Sequence, residues 1–174
     1  ADLYFCEKLN GLGNRMIRQF VEDGGAYLGI CAGAYYACSQ LKFAENIEGF
    51  EIKGDRELKF YKGCAYGPVM EYIQDADILK SWDCASEIEY AGETFQCVYR
   101  GGPYFDEGYG ERVVVRYSAL KHKPAAVIEV EVGKGLAILC GPHLEYRSKD
   151  YAKTLYRHLN PNFEYEAKIA HTVE

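Results

Sequence analysis

The segment "GGAYLGICAGAYYACS" places a cysteine between two glycines at the end of a short apolar run. A nucleophile must stand clear of the backbone beside N–H groups that can hold an oxyanion, and a strand that turns sharply into a helix provides this arrangement. Gly29 and Gly33 flank Cys31 at two residues' distance. The N–H of Ala32 is a candidate oxyanion donor, and a helix beginning there would lower the thiol pKa below about 8.5. The pattern indicates a nucleophile elbow; a thiol packed at a tight helix–strand contact is the alternative.

A cysteine nucleophile needs a base, and the base needs a group that orients it. His143 directly follows the apolar segment "GLAILCG", and ligand sites in open α/β sheets lie at the carboxyl ends of strands. Glu145, two residues later, can accept a hydrogen bond from the second imidazole nitrogen. We therefore predict a Cys31–His143–Glu145 triad that cleaves an amide, peptide or ester bond through an acyl-enzyme. This chemistry requires no metal and no organic cofactor.

The other three histidines lie in charged or polar segments and are interpreted as surface residues: His122, His158 and His171. A lone histidine at a strand end is more often structural than catalytic. The carboxylate at Glu145 and the elbow cysteine are what favour a catalytic interpretation of His143.

The elements that must position these residues follow from the apolar spacing. Leu12, Met16, Ile17, Phe20 and Val21 recur at helical intervals, and two glycines end that helix. The segment "AYLGI" predicts a strand, and "AGAYYACSQ" predicts that a second helix follows the turn. This order of helix, strand, sharp turn and helix is typical of an α/β fold.

The rest of the chain predicts a different mixture of elements. Residues 44–110 are rich in Gly, Tyr and charge and predict short strands and loops, as an insertion within the domain. Farther on, Gly133-Lys134-Gly135 predicts a tight hairpin between two strands. A helix is expected after residue 148, with Ser148 or Asp150 as N-cap, one apolar face, and Pro161 at its end. The apolar face comprises Tyr151, Leu155 and Leu159.

Composition limits the function classes. The chain has 174 residues, 48% of them apolar, which suits one well-packed domain. A net charge of −6 argues against a nucleic-acid or membrane-surface binder, and no apolar run approaches the ~20 residues of a membrane span. The seven cysteines include no CxxC pair and predict no metal site. Buried, reduced thiols in a cytoplasmic protein are the interpretation, with a secreted or periplasmic protein as the alternative.

The order of elbow cysteine and His-x-Glu resembles the class I glutamine amidotransferase-like superfamily. The resemblance is closer to one branch, the N-terminal domain of eukaryotic biotin–protein ligases and its stand-alone relatives. The segments that carry it cover most of the chain: "GNRMIRQFVEDGGAYLGICAGAYYACS", "GDRELKFYKGCAYGP", "YRGGPYF" and "VGKGLAILCGPHLEY". It implies a flavodoxin-like three-layer α/β sandwich with a mostly parallel sheet, and residues 1–174 as a single domain. Relatives also carry a strand–helix–strand unit ending in a Pro-Gly-Gly loop that would supply the second oxyanion donor. Its absence predicts that an N-terminal segment is missing.

The chain also departs from the resembling enzymes. Amidotransferases that hydrolyse glutamine continue the elbow with Gln or His, whereas this chain has Ala34-Tyr35-Tyr36, which argues against glutamine as substrate. Arg56, Tyr35, Gly101 and Gly102 are candidate pocket residues. A surface ion pair for Arg56 and a simple turn for the glycines are the alternatives. The leading hypothesis is a cysteine hydrolase for a small-molecule or peptide substrate. The alternative is a catalytically inactive binding or regulatory module that contacts a ligase-type domain.

Overall fold

The computed structural model describes residues 2–73 and 83–146. The helices are α1 (Leu3–Leu9), α2 (Leu12–Glu22), α3 (Ala32–Tyr36) and a 3-10 turn at Met70–Tyr72. The strands are β1 (Ala26–Ile30), β2 (Cys38–Phe43), β3 (Ile52–Asp55), β4 (Tyr61–Gly67), β5 (Asp83–Tyr90), β6 (Glu93–Arg100), β7 (Tyr104–Phe105), β8 (Arg112–Tyr117), β9 (Ala125–Val132) and β10 (Gly135–Cys140). The helix predicted after residue 148 lies outside the described residues.

The strands form one sheet, in the order β3-β2-β4-β7-β9-β8-β5-β6, with β10 on β9 and β1 outside β10. Within residues 2–73 and 83–146, the β1–β10 and β2–β4 pairs are parallel and the remaining pairs are antiparallel. The chain is thus a sheet-rich mixed α/β protein. The predicted flavodoxin-like sandwich, with its mostly parallel sheet, is not supported.

Short hairpins explain why antiparallel pairing dominates, because a two-residue turn can only join antiparallel strands. Gly133-Lys134 joins β9 to β10, with Gly133 at φ 61°, so the predicted tight hairpin is confirmed. Ala91-Gly92 joins β5 to β6 with both residues at positive φ, as a type I′ turn requires. The strands predicted within 44–110 are present and belong to the main sheet.

Helix α2 ends at Glu22, before the two glycines that predicted its end. Val21 is fully buried and Ile17 packs against the same apolar cluster. Leu12, Met16 and Phe20 lie at i, i+4 and i+8 and are each more than 60% exposed. The five apolar residues at helical spacing therefore form two stripes, and only one of them faces the sheet.

Helix α3 is shorter than the sequence predicts. It ends at Tyr36, and Cys38 begins β2, which pairs in parallel with β4. The predicted helix through residue 40 is wrong because pairing with a distant strand outweighs the local helix propensity of "ACSQ". Cys38 is fully buried, as expected for a core thiol.

Apolar clusters occupy the two faces of the sheet. Helices α1, α2 and α3 all pack with the cluster that contains Tyr27 and Leu139, whereas Ile30 and Cys140 belong to the other cluster. Tyr27 and Ile30 differ by an odd number of positions in β1, so their side chains point to opposite faces. None of the described helices has the length and apolar character needed to cross a bilayer.

Candidate functional site

Cys31 lies at the sharp turn between β1 and α3. Its backbone has φ 50° and ψ −104°. Residues other than glycine rarely adopt this conformation, which costs about 1–3 kcal/mol. The N–H of Cys31 donates to the carbonyl of Cys140 at 2.8 Å, and its own carbonyl accepts the first α3 bond from Ala34. The chain is thus held in a strained conformation that turns the thiol out at the end of the strand.

The glycines on either side of Cys31 have different roles. A Cβ on Gly29 would lie 2.6 Å from the carbonyl oxygen of Gly33, so this position must be glycine for strand and helix to meet. A Cβ on Gly33 would meet nothing closer than the Tyr27 hydroxyl, at 3.6 Å. That hydroxyl donates to the Gly33 carbonyl at 2.8 Å. The close approach of strand and helix that the G-x-C-x-G pattern predicts therefore depends on Gly29.

The thiol of Cys31 donates a hydrogen bond to the carbonyl of Arg100, with Sγ–O at 3.7 Å. Burial raises the thiol pKa above its ordinary value; the Ala32 N–H and the Arg100 charge lower it, but by less. The predicted lowering of this pKa is wrong, because the desolvation of the thiolate outweighs the single backbone donor of a short helix. A raised pKa favours the protonated thiol at neutral pH.

His143 is held at the end of β10 by a backbone bond to β6. Its N–H donates to the carbonyl of Val98 at 2.8 Å, in an isolated antiparallel bridge. The imidazole Nδ1 contacts Glu145 Oε1 at 2.6 Å, the pairing that the His-x-Glu spacing suggested. The ring lies edge-on to Tyr146, with centroids 5.6 Å apart, and is 15% exposed. The imidazole of His143 is therefore oriented by a carboxylate and a ring.

The predicted site has two halves: the Cys31 thiol, and the His143–Glu145 pair with the neighbouring Tyr146. The charge of Glu145 adds to the raised pKa of the Cys31 thiol, by less than burial does. Arg100 contacts both halves, through its carbonyl to the thiol and through Nη1 to the Tyr146 hydroxyl at 3.2 Å. Among the described residues, the thiol bonds to this carbonyl and the imidazole to Glu145, without a thiol–imidazole hydrogen bond.

The predicted pocket residues at the end of β6 bring backbone close to Cys31. Gly101 lines the same cavity as Cys31 and accepts a hydrogen bond from the buried Tyr35 hydroxyl at 3.1 Å. Gly102 approaches Gly141, where an added Cβ would lie 2.7 Å from the Gly141 carbonyl carbon. Gly102 also accepts a bond from the Tyr99 hydroxyl at 2.8 Å. Gly102 therefore packs backbone against backbone with Gly141, and of the two glycines it is Gly101 that lines the cavity at Cys31.

Arg56 binds a carboxylate of the protein itself. It forms a bidentate ion pair with Asp2, at 2.5 and 3.1 Å, and both side chains are almost fully buried. It is therefore not a surface ion pair, and it does not line the cavity at Cys31; Asp2 does. Arg56 orients a carboxylate at the cavity wall and anchors the start of α1.

The cavity at Cys31 has a volume of about 570 Å³. Cys31, Ala32 and Tyr35 contribute to it from the elbow, together with side chains that the sequence did not single out: Leu3, Phe43, Phe50 and Arg100. Of these four residues, only Arg100 had a signal in the sequence, because it directly precedes the predicted pocket glycines in "YRGG". No group of three His, Cys, Asp or Glu side chains among residues 2–73 and 83–146 could hold a metal ion.

The predicted site residues thus lie in a sheet-rich α/β domain, with a strained cysteine between β1 and α3 and an imidazole–carboxylate pair after β10. A family model described as "Biotin-protein ligase, N terminal" matches residues 1–172. The chain belongs to this family.

Two curated relatives are similar over most of the chain. A Chlamydia muridarum protein described as uncharacterized is 38% identical over 153 residues, covering 84% of this chain and 58% of the relative. The biotin–protein ligase of Schizosaccharomyces pombe is 31% identical over 155 residues, covering 85% of this chain and 25% of that protein. The chain thus spans between a quarter and three fifths of the length of these relatives.

Among solved structures, the β-galactosidase Gan42B of G. stearothermophilus aligns with 84% of this chain and 19% of its own length. The TM-score is 0.45 and the sequence identity 13%. This likeness is too low to support a statement about fold or activity.

Proposed function

We propose that this chain is a non-catalytic module of the biotin–protein ligase N-terminal family that docks on a ligase-type catalytic domain. Family membership supports this reading, and in the Schizosaccharomyces pombe relative most of the ligase lies outside the matching region. The protonated, hydrogen-bonded state of the Cys31 thiol also favours a module that does not depend on a ready nucleophile.

The observation that carries the proposal is the outer stripe of α2, formed by Leu12, Met16 and Phe20. Three large apolar side chains, each more than 60% exposed and stacked along one helix face, are typical of a protein interface. Docking would bury the stripe, and each side chain would contribute about 1.5–3 kcal/mol if fully covered.

Two charge substitutions test this docking. Binding of the full chain to a biotin–protein ligase catalytic domain is measured by biolayer interferometry, for wild type and for a Met16→Glu, Phe20→Glu double variant. The double variant is expected to weaken binding at least tenfold, since it places two charges in an apolar interface. Tyr90→Glu, an exposed aromatic on the β5–β6 hairpin, is the matched control and should bind like wild type. Equal binding by the double variant and wild type would refute docking through α2.

A second candidate function is a cysteine hydrolase of the glutamine amidotransferase-like superfamily, with Cys31, His143 and Glu145 as its triad. The positive φ of Cys31 supports it, because that strain presents the thiol beside the Ala32 N–H, a candidate oxyanion donor. The 2.6 Å contact of His143 with Glu145 supports it as well. Hydrogen bonds between nucleophile and base are often formed only once substrate is bound. In the reaction, His143 would accept the thiol proton and return it to the leaving group.

A substrate screen tests the hydrolase. Small amides, dipeptides and acyl esters are offered to the full chain and to its Cys31→Ser and Glu145→Gln variants. A hydrolase would lose at least about 100-fold in kcat/KM in the serine variant, because the less nucleophilic hydroxyl replaces the thiol. Turnover that survives unchanged in Cys31→Ser would exclude the triad.

A further inference from the structure

The cavity at Cys31 is suited to one class of ligand by the chemistry of its walls. Its volume of about 570 Å³ lies in the usual range for small-molecule sites. The side chains around it are mostly apolar: Leu3, Tyr35, Leu41, Phe43, Phe50 and Ile52. Tyr35 and Phe43 meet edge to face, with ring centroids 5.6 Å apart, which gives this wall a defined shape.

The acidic groups of the cavity already have partners within the protein. Asp2 is bound by Arg56 through two hydrogen bonds, and Glu51 pairs with Lys53 at 3.0 Å. The Tyr35 hydroxyl is used by the Gly101 carbonyl. A ligand that enters therefore meets apolar surface along the walls and gains little from carrying a charge there.

Polar groups lie together at the elbow end of the cavity. Cys31, Ala32 and Arg100 line that end, and the Cys31 thiol donates to the Arg100 carbonyl with Sγ–O at 3.7 Å. The Ala32 backbone N–H and the arginine favour a carbonyl oxygen at this end, because a carbonyl oxygen accepts hydrogen bonds. Apolar walls with a carbonyl-binding end match an acyl group.

We propose that this cavity binds a small molecule with an apolar acyl chain, with its carbonyl at Cys31 and its chain against Phe43 and Phe50. The inference goes beyond docking on a ligase domain and does not require catalysis. It names the substrate class if the hydrolase reading of the same site holds.

Octanamide and acetamide are the probes, because both are neutral and share one amide head. Isothermal titration calorimetry on the full chain should show that octanamide binds about 50-fold more tightly than acetamide. This factor assumes that burial realises roughly half of the transfer free energy of the six additional methylenes of octanamide. Cys31→Ala should retain this preference, since the chain contacts come from the walls. Equal affinity for the two amides, or no binding of octanamide, would overturn the proposal.

Two neighbouring residues of α1 supply the matched variants. Leu3 lines the cavity and is 52% exposed, whereas Tyr4 is 63% exposed and lies outside the cavity lining. Leu3→Asp should weaken octanamide binding at least tenfold, and Tyr4→Asp should leave it unchanged. Phe50→Asp provides a second wall variant, with circular dichroism to verify folding. Octanamide binding that survives both wall variants would place the ligand elsewhere and refute the assignment.

The two experiments fail independently. Loss of ligase docking with intact octanamide selectivity would refute the docking module and leave the acyl cavity standing. Intact docking with no octanamide selectivity would refute the acyl cavity and leave the docking module standing. The two outcomes are separable because the outer stripe of α2 and the cavity share no residue.

Discussion

The two glycines of the elbow should respond in opposite ways to the same substitution. Gly29 and Gly33 flank Cys31 symmetrically in "GICAG". In Gly29→Ala the new Cβ would lie 2.6 Å from the Gly33 carbonyl oxygen and 2.8 Å from its carbonyl carbon. Both are backbone atoms, so α3 must move away from β1. In Gly33→Ala the nearest atom is the Tyr27 hydroxyl, at 3.6 Å, an ordinary van der Waals contact.

The magnitudes follow from these distances. Overpacking a close backbone contact costs about 1–3 kcal/mol, and we expect Gly29→Ala to destabilise by about 3 kcal/mol because no flexible side chain can absorb the whole clash. Gly33 lies within α3, where alanine is favoured over glycine by about 0.5–1 kcal/mol. The two variants should therefore differ by roughly 3–4 kcal/mol in unfolding free energy.

Thermal unfolding measures this difference directly. At about 2–4 °C per kcal/mol for a chain of this size, Gly29→Ala should lower Tm by roughly 6–12 °C. Gly33→Ala should raise Tm by about 1–4 °C. Urea unfolding provides the check that both variants remain two-state. Equal Tm shifts for the two variants, or tolerance of Gly29→Ala, would refute the close strand–helix contact on which the elbow depends.

Three further results are expected. Iodoacetamide should alkylate Cys31 more slowly than free cysteine at neutral pH, and the rate should rise only at pH values above the ordinary thiol pKa. An apparent pKa below the ordinary thiol value would contradict the burial of this thiol. Arg56→Met should lower the free energy of unfolding, measured in urea, by about 3–5 kcal/mol because it leaves Asp2 buried and unpaired. The Arg56→Met, Asp2→Leu double variant should regain most of that stability. Burial raises the pKa of Cys97 to about 12, so the folded chain holds this proton more tightly than the unfolded chain. Stability should therefore fall as pH rises from about 9 to 12, and a flat profile there would count against this.

Local sequence signals predicted the parts of the site that depend on neighbouring residues. Glycine and alanine around Cys31 predicted the sharp turn, and the i+2 spacing of His143 and Glu145 predicted their contact at 2.6 Å. The Gly133-Lys134 hairpin and the end of α2 were predicted by the same kind of evidence. In each case the relevant atoms lie within a few residues, where backbone conformation is set by local sterics.

Long-range pairing decided what the local pattern could not. The helix expected through residue 40 gives way to β2 at Cys38 because β4 supplies a parallel partner. The sheet is mostly antiparallel because its strands are joined by hairpins far from the elbow. The elbow pattern is local, so it is compatible with either sheet.

By itself, then, the sequence determined the elbow at Cys31, the imidazole–carboxylate pair and the family to which the chain belongs. The tertiary structure decided the protonation of the thiol, the buried partner of Arg56 and the apolar cavity at the elbow. The physical reason is that desolvation and ion pairing depend on which distant residues cover a group. Arg56 lies 54 positions from Asp2 and the Arg100 carbonyl 69 positions from Cys31, and no local pattern encodes such distances.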